Sequence, residues 1–392
     1  MSDERSIVTF LIFFSAALSI YGSTHYYIIK RGWQALPDVI RLKRGYLALS
    51  IGLAGSYILG RFLMSLRPGF TGELLIWIGS FWLSMWVYLF LMCLVIDIVR
   101  LADLALPLLP ASWKTEGSRA GPAAGITVLS IALLLTGGGF VNSLFVRITR
   151  IDIQVPCREA PCGTIKLAVA ADIHLGTVIN AWRLSRIVDR INACRPDIVL
   201  LPGDIVDEGI HPEDALKIRK ELERIRTTCG VYACAGNHEF ITGVDTSLPF
   251  IASAGITVLR DETHEVAGCI TLAGRDDVSG THFGGGQRKA LADILKNSDR
   301  SKPVVLMDHT PFGLDRAAEN GVDLQVSGHT HNGQLFPFNI ITGLIYEQDW
   351  GYLKKGDTHF YISCGAGTWG PPVRTNSVSE VVLITLSLKE MP

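Results

Sequence analysis

The chain has 392 residues, with 36 Lys and Arg against 37 Asp and Glu and a formal net charge of −1. That length allows two or three domains, and that balance excludes a partner held by bulk charge, nucleic acid above all. Eight cysteines include no C-x-x-C pair, which excludes a thiolate metal site of that kind.

Mean hydropathy is +0.31, and the apolar residues concentrate in the first 146 positions. Four stretches there are long enough to cross about 30 Å of hydrocarbon: 7–29, 45–66, 74–99 and 124–146. The third opens with "LLIWIGSFWLSMWVYLFLMCLVI", free of charge; the second ends around Arg61, which can snorkel. The first is too long for a signal-peptide core and has no small-residue cleavage site. His25 within it reads as a packed or interfacial histidine. Residues 1–146 are therefore expected to form an all-α, four-helix transmembrane region, and 147–392 a second domain. Loops on one side carry eight Lys and Arg (30, 31, 41, 43, 44, 100, 114, 119) against six on the other (5, 61, 67, 147, 150, 158). The bias leans toward both termini, and the second domain, lying outside the cytoplasm.

The segment 147–157 reads as a short tether. Cys157 and Cys162 flank "REAP" and could close a small disulfide loop or remain two thiols; the other six cysteines, Cys269 among them, read as core filling. Short apolar runs then alternate with amphipathic segments. "IKLAVAADIH" (165–174) is a strand, Asn180 caps a helix with Leu184, Ile187, Val188 and Ile191 on one face, and "PDIVLLPGD" (196–204) is the next buried strand. A charged helix over 212–227 precedes further strands at 230–239, 255–261, 269–277, 303–311, 322–331, 359–365 and 380–388. Strand–helix alternation of this kind predicts a layered α/β domain.

Five of these strands end in ligand-type residues: Asp172-Ile-His174, Gly203-Asp204, Gly236-Asn237-His238-Glu239, His309 and Gly328-His329-Thr-His331. Carboxyl ends of buried strands are where open α/β sheets place their sites. Each block alone is ordinary. Asp-x-His and Gly-Asp are common turns, Asn-His-Glu can cap a helix, and His-x-His arises by chance in loops. Five in succession, using five of the ten histidines, are not ordinary.

In order and spacing, the five blocks resemble those of the calcineurin-like metallophosphoesterase superfamily over residues 165–388, and "GTWGPPVR" (367–374) resembles its YkuE-like, membrane-anchored branch. The resemblance implies a four-layer αββα sandwich and a dinuclear metal site. Asp172, His174 and His331 would hold one ion, Asn237, His309 and His329 the other, and Asp204 would bridge them. Two carboxylates, four histidines and an amide suit two divalent ions such as manganese, iron or zinc. Two such ions, the two carboxylates and a bridging hydroxide sum to +1, which favours a phosphate ester and the charge growing on it during attack. His238 would protonate the leaving oxygen, or else only orient Asn237.

The expected activity is hydrolysis of a phosphate ester, a phosphodiester or a lipid- or envelope-linked ester, by a metal-dependent hydrolase of the cell's inner membrane. The expected partners are that substrate and membrane lipid, without nucleic acid. Arg275, Asp277, Gln334 and Arg374 are candidate substrate contacts, with Asp276 and Trp369 beside them. Two alternatives stay open: a pyrophosphatase acting on a nucleotide-linked lipid such as UDP-diacylglucosamine, which needs a cytoplasmic domain, and a non-catalytic membrane scaffold.

Overall fold

A computed structural model describes residues 2–115, 118–157, 163–207, 209–210, 212–283 and 286–390. The chain divides into two compact units, Met1–Gly139 and Phe140–Pro392.

The first unit is built of helices α1 (Ser2–Ala35), α2 (Ile40–Leu66), α3 (Phe70–Ala102) and most of α4 (Ala120–Ser143). Among the described residues, three helices have the length and apolarity of a membrane span: α2, α3 and α4. The first expected span falls within α1, several of whose side chains lie outside the described residues. His25 is buried between helices; its Nε2 accepts from Trp82 Nε1 (2.9 Å), and its Nδ1 lies 2.8 Å from the Tyr21 carbonyl oxygen. The last span stops three residues earlier than its apolar run suggests, at Ser143. Its final carbonyls are taken up within the second unit: Arg183 Nη2 donates to Ser143 O (3.2 Å) and Arg186 Nη2 to Leu144 O (3.0 Å).

Among its described residues the second unit holds twelve strands. They are β1 (Val146–Cys157), β2 (Thr164–Val169), β3 (Ile198–Pro202), β4 (Val231–Cys234), β5 (Thr257–Val258), β6 (Glu262–Val266), β7 (Ile270–Arg275), β8 (Val304–Asp308), β9 (Leu324–Ser327), β10 (Gly351–Lys355), β11 (Thr358–Ile362) and β12 (Ser379–Glu390). Its helices are α5 (Ala181–Ala193), α6 (Pro212–Leu222), α7 (Asn237–Thr242), α8 (Val244–Ser253), α9 (Leu291–Ile294), α10 (Asp315–Glu319) and α11 (Phe338–Ile345). One six-stranded sheet runs β1-β12-β2-β3-β4-β5 and the other β10-β11-β9-β8-β7-β6. In each, a parallel centre carries antiparallel neighbours.

The two sheets share one core, in which Leu167, Leu200 and Ile384 of the first meet Leu272, Met307 and Val326 of the second. The outer face of the first sheet is covered by α5. Asn180 Oδ1 accepts from the Trp182 and Arg183 amides as its N-cap, and Leu184, Ile187, Val188 and Ile191 are buried. The outer face of the second sheet packs against Leu291, Ile294, Leu314 and Ala317 of α9, α10 and their flanks. Helices outside two stacked sheets make the four-layer αββα sandwich.

One expectation is corrected. Residues 147–157 are not a tether: they form β1, paired in parallel with β12 from Val146↔Ser379 to Cys157↔Glu390. Side chains alternate along it, with Ile153 and Val155 buried and Asp152 and Gln154 exposed, the pattern of a half-buried edge strand. Cys269 packs against the shared core, as expected, and is also disulfide-bonded. The Cys157–Cys162 pair lies outside the residues whose side chains are described.

Candidate metal centre

The five ligand-bearing blocks converge. Asp172, His174 and His331 offer ligand atoms within 4.8 Å of one another, and so do Asp204, His309 and His329. His174, Asp204 and His238 form a third such group, so Asp204 belongs to two. Its Oδ2 lies 3.1 Å from His309 Nε2 and 3.8 Å from His174 Nε2. Asn237 Oδ1 sits 3.1 Å from His309 Nε2 and 2.8 Å from His329 Nδ1.

The backbone is bent to make this possible. Asp172, His174, Asp204, His329 and His331 have φ of 53°, 55°, 52°, 74° and 50°. Left-handed backbone is uncommon outside glycine and marks functional sites when it clusters. His329 and His331 are thus turned by left-handed residues, and each joins a different ligand group. Glycines clear the ground: a Cβ on Gly328 would stand 2.1 Å from Asp172 Oδ2, and one on Gly236 2.2 Å from Asp204 Oδ1.

The donor set fits cations. Asp172 Oδ2 is buried with no hydrogen-bond partner among the described residues, a cost of about 1–3 kcal/mol unless something takes its lone pairs. The Nε2 atoms of His174 and His331 face each other at 3.0 Å; two lone pairs at that distance need a proton or a metal between them. Oxygen and imidazole ligands without thiolate suit first-row divalent ions.

Electrostatics follow the crowding. Burial opposes ionisation of Asp204, but His309 and the other imidazoles outweigh it and hold the carboxyl well below its usual range. Burial would also lower His309, yet Asp204 beside it raises it well above the ordinary imidazole value. His331, buried against His174 and Arg374, is driven the other way, far down. His238 is half-buried; burial lowers it, but the Asp207 carboxylate 2.5 Å from its Nδ1 wins and pushes it up to about 8.

Two residues with no expected role emerge. Asp207, three positions after Asp204, pairs with His238. Glu239 is fully buried and accepts from four amides: Gly236 (2.8 Å), Asp204 (2.9 Å), Ile205 (2.7 Å) and Val206 (2.8 Å). It ties the loop after β3 to the start of α7. The Asp207 spacing and the Glu239 in the third block were the available signals.

The four candidate substrate contacts are engaged internally. Arg275 Nη1 pairs with Asp308 Oδ2 at 3.2 Å. Asp277 accepts from Thr310 Oγ1 (2.6 Å) and the Ser279 amide (2.8 Å). Gln334 brackets the backbone of Trp369, accepting from its N–H (3.0 Å) and donating to its carbonyl (2.9 Å). Arg374 is fully buried behind His331, its Nη2 3.2 Å from His331 Nδ1 and donating to Gly367 O at 2.7 Å. Trp369 is exposed, and its ring lies 5.9 Å from that of His238.

The sequence profile of the calcineurin-like phosphoesterases matches residues 165–333. An uncharacterized metallophosphoesterase of Aquifex aeolicus is 36% identical over 262 residues, 66% of this chain and 98% of its own. A transmembrane protein with metallophosphoesterase domain from Danio rerio is 29% identical over 97% of this chain and 89% of its own. The uncharacterized metallophosphoesterase YkuE of Bacillus subtilis is 28% identical over 66% of this chain and 93% of its own. With its ligand cluster at the strand ends and, among the described residues, three helices long and apolar enough to cross a bilayer, the chain belongs to the calcineurin-like metallophosphoesterases.

Proposed function

We propose that the second unit hydrolyses a phosphate ester at a dinuclear metal site. The observation that carries this reading is the convergence of Asp172, His174, Asp204, Asn237, His309, His329 and His331 from five separate strand ends. Asp172, His174 and His331 would hold one divalent ion, and Asn237, His309 and His329 the other. Asp204, which belongs to a ligand group on each side, would touch both. Manganese, iron and zinc all suit this donor set. Such ions, when bound, polarise a phosphoryl group and activate water for attack.

The chain's own groups do the rest. His238 carries the proton for the leaving oxygen, and Asp207 at its Nδ1 keeps the ring charged and turned, leaving Nε2 free to donate. Glu239 fixes the loop that presents Asp204. Arg374 is a positioning residue behind His331 rather than a substrate contact.

The substrate class we favour is a phosphodiester or other ester linked to membrane lipid or envelope, with the unit on the outer side of the inner membrane. The Lys and Arg bias supports that side, and so does the disulfide at Cys269, since such bonds persist in oxidising compartments. A nucleotide-linked lipid pyrophosphatase would require the opposite side. The test is the purified full chain, loaded with Mn²⁺, assayed on phosphomonoesters, phosphodiesters and nucleotide-linked lipids. Metal-dependent release of one of these is expected. No turnover of any of them by chain that binds two ions would overturn the enzymatic reading in favour of a scaffold.

A further inference from the structure

Just beyond the G-H-T-H block, the surface changes character. From Phe336 to Tyr346 the chain carries no charged residue. Phe336, Phe338, Ile340, Ile341, Leu344 and Ile345 are all exposed, Leu344 at 83%. No residue of α11 is buried. Single exposed apolar residues are ordinary on a protein surface, but a contiguous group this dense marks a face that is covered in use.

This face is fastened to the metal-binding loop. Gly333 packs against the start of α11, where a Cβ would stand 2.2 Å from the Asn339 amide nitrogen. Thr330, between the two histidines, donates to the Asp349 carbonyl (2.5 Å), and Thr342 of α11 donates to Asp349 Oδ2 (2.6 Å). Tyr346, which ends the helix, lies 6.0 Å from the His329 ring and stacks at 4.8 Å on the exposed Phe312. Trp369, 55% exposed, extends the apolar rim to His238.

We propose that α11 is a bilayer-docking helix, and that the centre beside it acts on phosphate esters held in the membrane. The bilayer is the natural occupant because this chain brings one with it. α4 has the length and apolarity of a membrane span, and only Leu144 and Phe145 separate it from β1. A tethered surface outcompetes any partner that must arrive from solution. The helix has no acidic residue to repel lipid phosphates and no cation to attract them, so docking rests on apolar area and does not require anionic lipid. A helix lying at the boundary of headgroups and acyl chains brings the rim at His329 and His238 to the level of lipid phosphates. The substrate half of this proposal rests on the phosphoesterase reading above; the docking half does not.

The test uses the full chain in phosphatidylcholine vesicles. Leu344→Cys carries an environment-sensitive fluorophore, and Leu216→Cys on the exposed side of α6 is the control, both read against the unsubstituted chain. Nitroxide on the lipids should quench the label at 344 at least about 2-fold more than the label at 216, which should respond to aqueous iodide. Quenching at 344 by iodide alone overturns docking. Self-quenching between labels at 344 without nitroxide quenching assigns the face to a second copy and also overturns it. The paired change Ile341→Glu with Leu344→Glu should keep turnover of a soluble aryl phosphodiester within about 2-fold, and lose about 10-fold or more on a phospholipid ester in vesicles. Equal turnover of the vesicle ester by variant and parent overturns the substrate half. A metal-loaded parent inactive on both esters removes the phosphoesterase reading itself and the substrate half with it, and the quenching result then decides docking alone.

Discussion

The Asp207 carboxylate meets His238 Nδ1 at 2.5 Å, across a gap of 31 positions in the chain. In the proposed reaction this pairing suits His238 to donate a proton rather than to hold metal. His238→Gln should keep both metal ions and lose about 10²–10⁴-fold in kcat. The loss should shrink for an ester whose leaving group is already acidic. Asp207→Asn should show a smaller loss with the same dependence on the leaving group. Metal content by elemental analysis and kcat over a series of aryl esters check this; losses equal for good and poor leaving groups would remove the acid role.

Asp204 stands in two ligand groups at once. Asp204→Asn should bring the metal content toward zero or one ion per chain and abolish turnover. If elemental analysis still finds two ions and the rate is near normal, Asp204 does not bridge them.

Glu239 serves four buried amides. Unpaired buried donors cost about 1–3 kcal/mol each, so Glu239→Ala should destabilise the second unit by about 3 kcal/mol or more. Glu239→Gln retains one amide oxygen and should fall between. Thermal midpoints in detergent read the difference, and an unchanged midpoint for the alanine variant would contradict the bracing role.

Asp323 gives a pH signature away from the metal centre. Burial raises its pKa from 3.8 to about 6. The folded chain therefore holds this proton more tightly than the unfolded chain. Stability from this group is full below pH 4 and is lost as the pH rises through about 6, a cost of at most about 3 kcal/mol at neutral pH. Asp323→Asn keeps an acceptor for the Val304 amide and should raise the thermal midpoint more at pH about 7.5 than at pH about 5. An equal gain at both, or none, would show that the carboxyl is not held neutral by burial.

Much of the fold and of the candidate site can be read in the sequence because it is local. A buried parallel strand followed by a turn puts an apolar run and its ligand side by side, so Asp172 and His174 come with β2, Asp204 with β3, and His329 and His331 with β9. Asn180 and the apolar stripe of α5 are legible for the same reason. What could not be read is made by contacts far apart in sequence. Asp207 has no mark until His238 arrives beside it. Arg374 looks like a phosphate ligand until the fold closes over it. β1 resembles a tether because Arg147, Arg150 and Pro156 interrupt its apolar pattern, and only the presence of β12 makes it a strand. The apolar run at α11 would ordinarily announce a core helix, yet its side chains stay outside.

The order of strands has a consequence for how the chain is made. β1 leaves the ribosome directly behind the last span, but its partner β12 begins 233 positions later, and β12 also lies between β1 and β2. The sheet edge therefore closes only once nearly the whole unit has been synthesised, and such distant pairings form slowly. Until then a twelve-residue strand waits at the membrane with both edges open, the situation in which nascent chains pair wrongly with their neighbours. The exposed Arg147, Arg150 and Asp152 and the proline at 156, which disguise β1 in the sequence, are the features that keep a waiting strand from joining another.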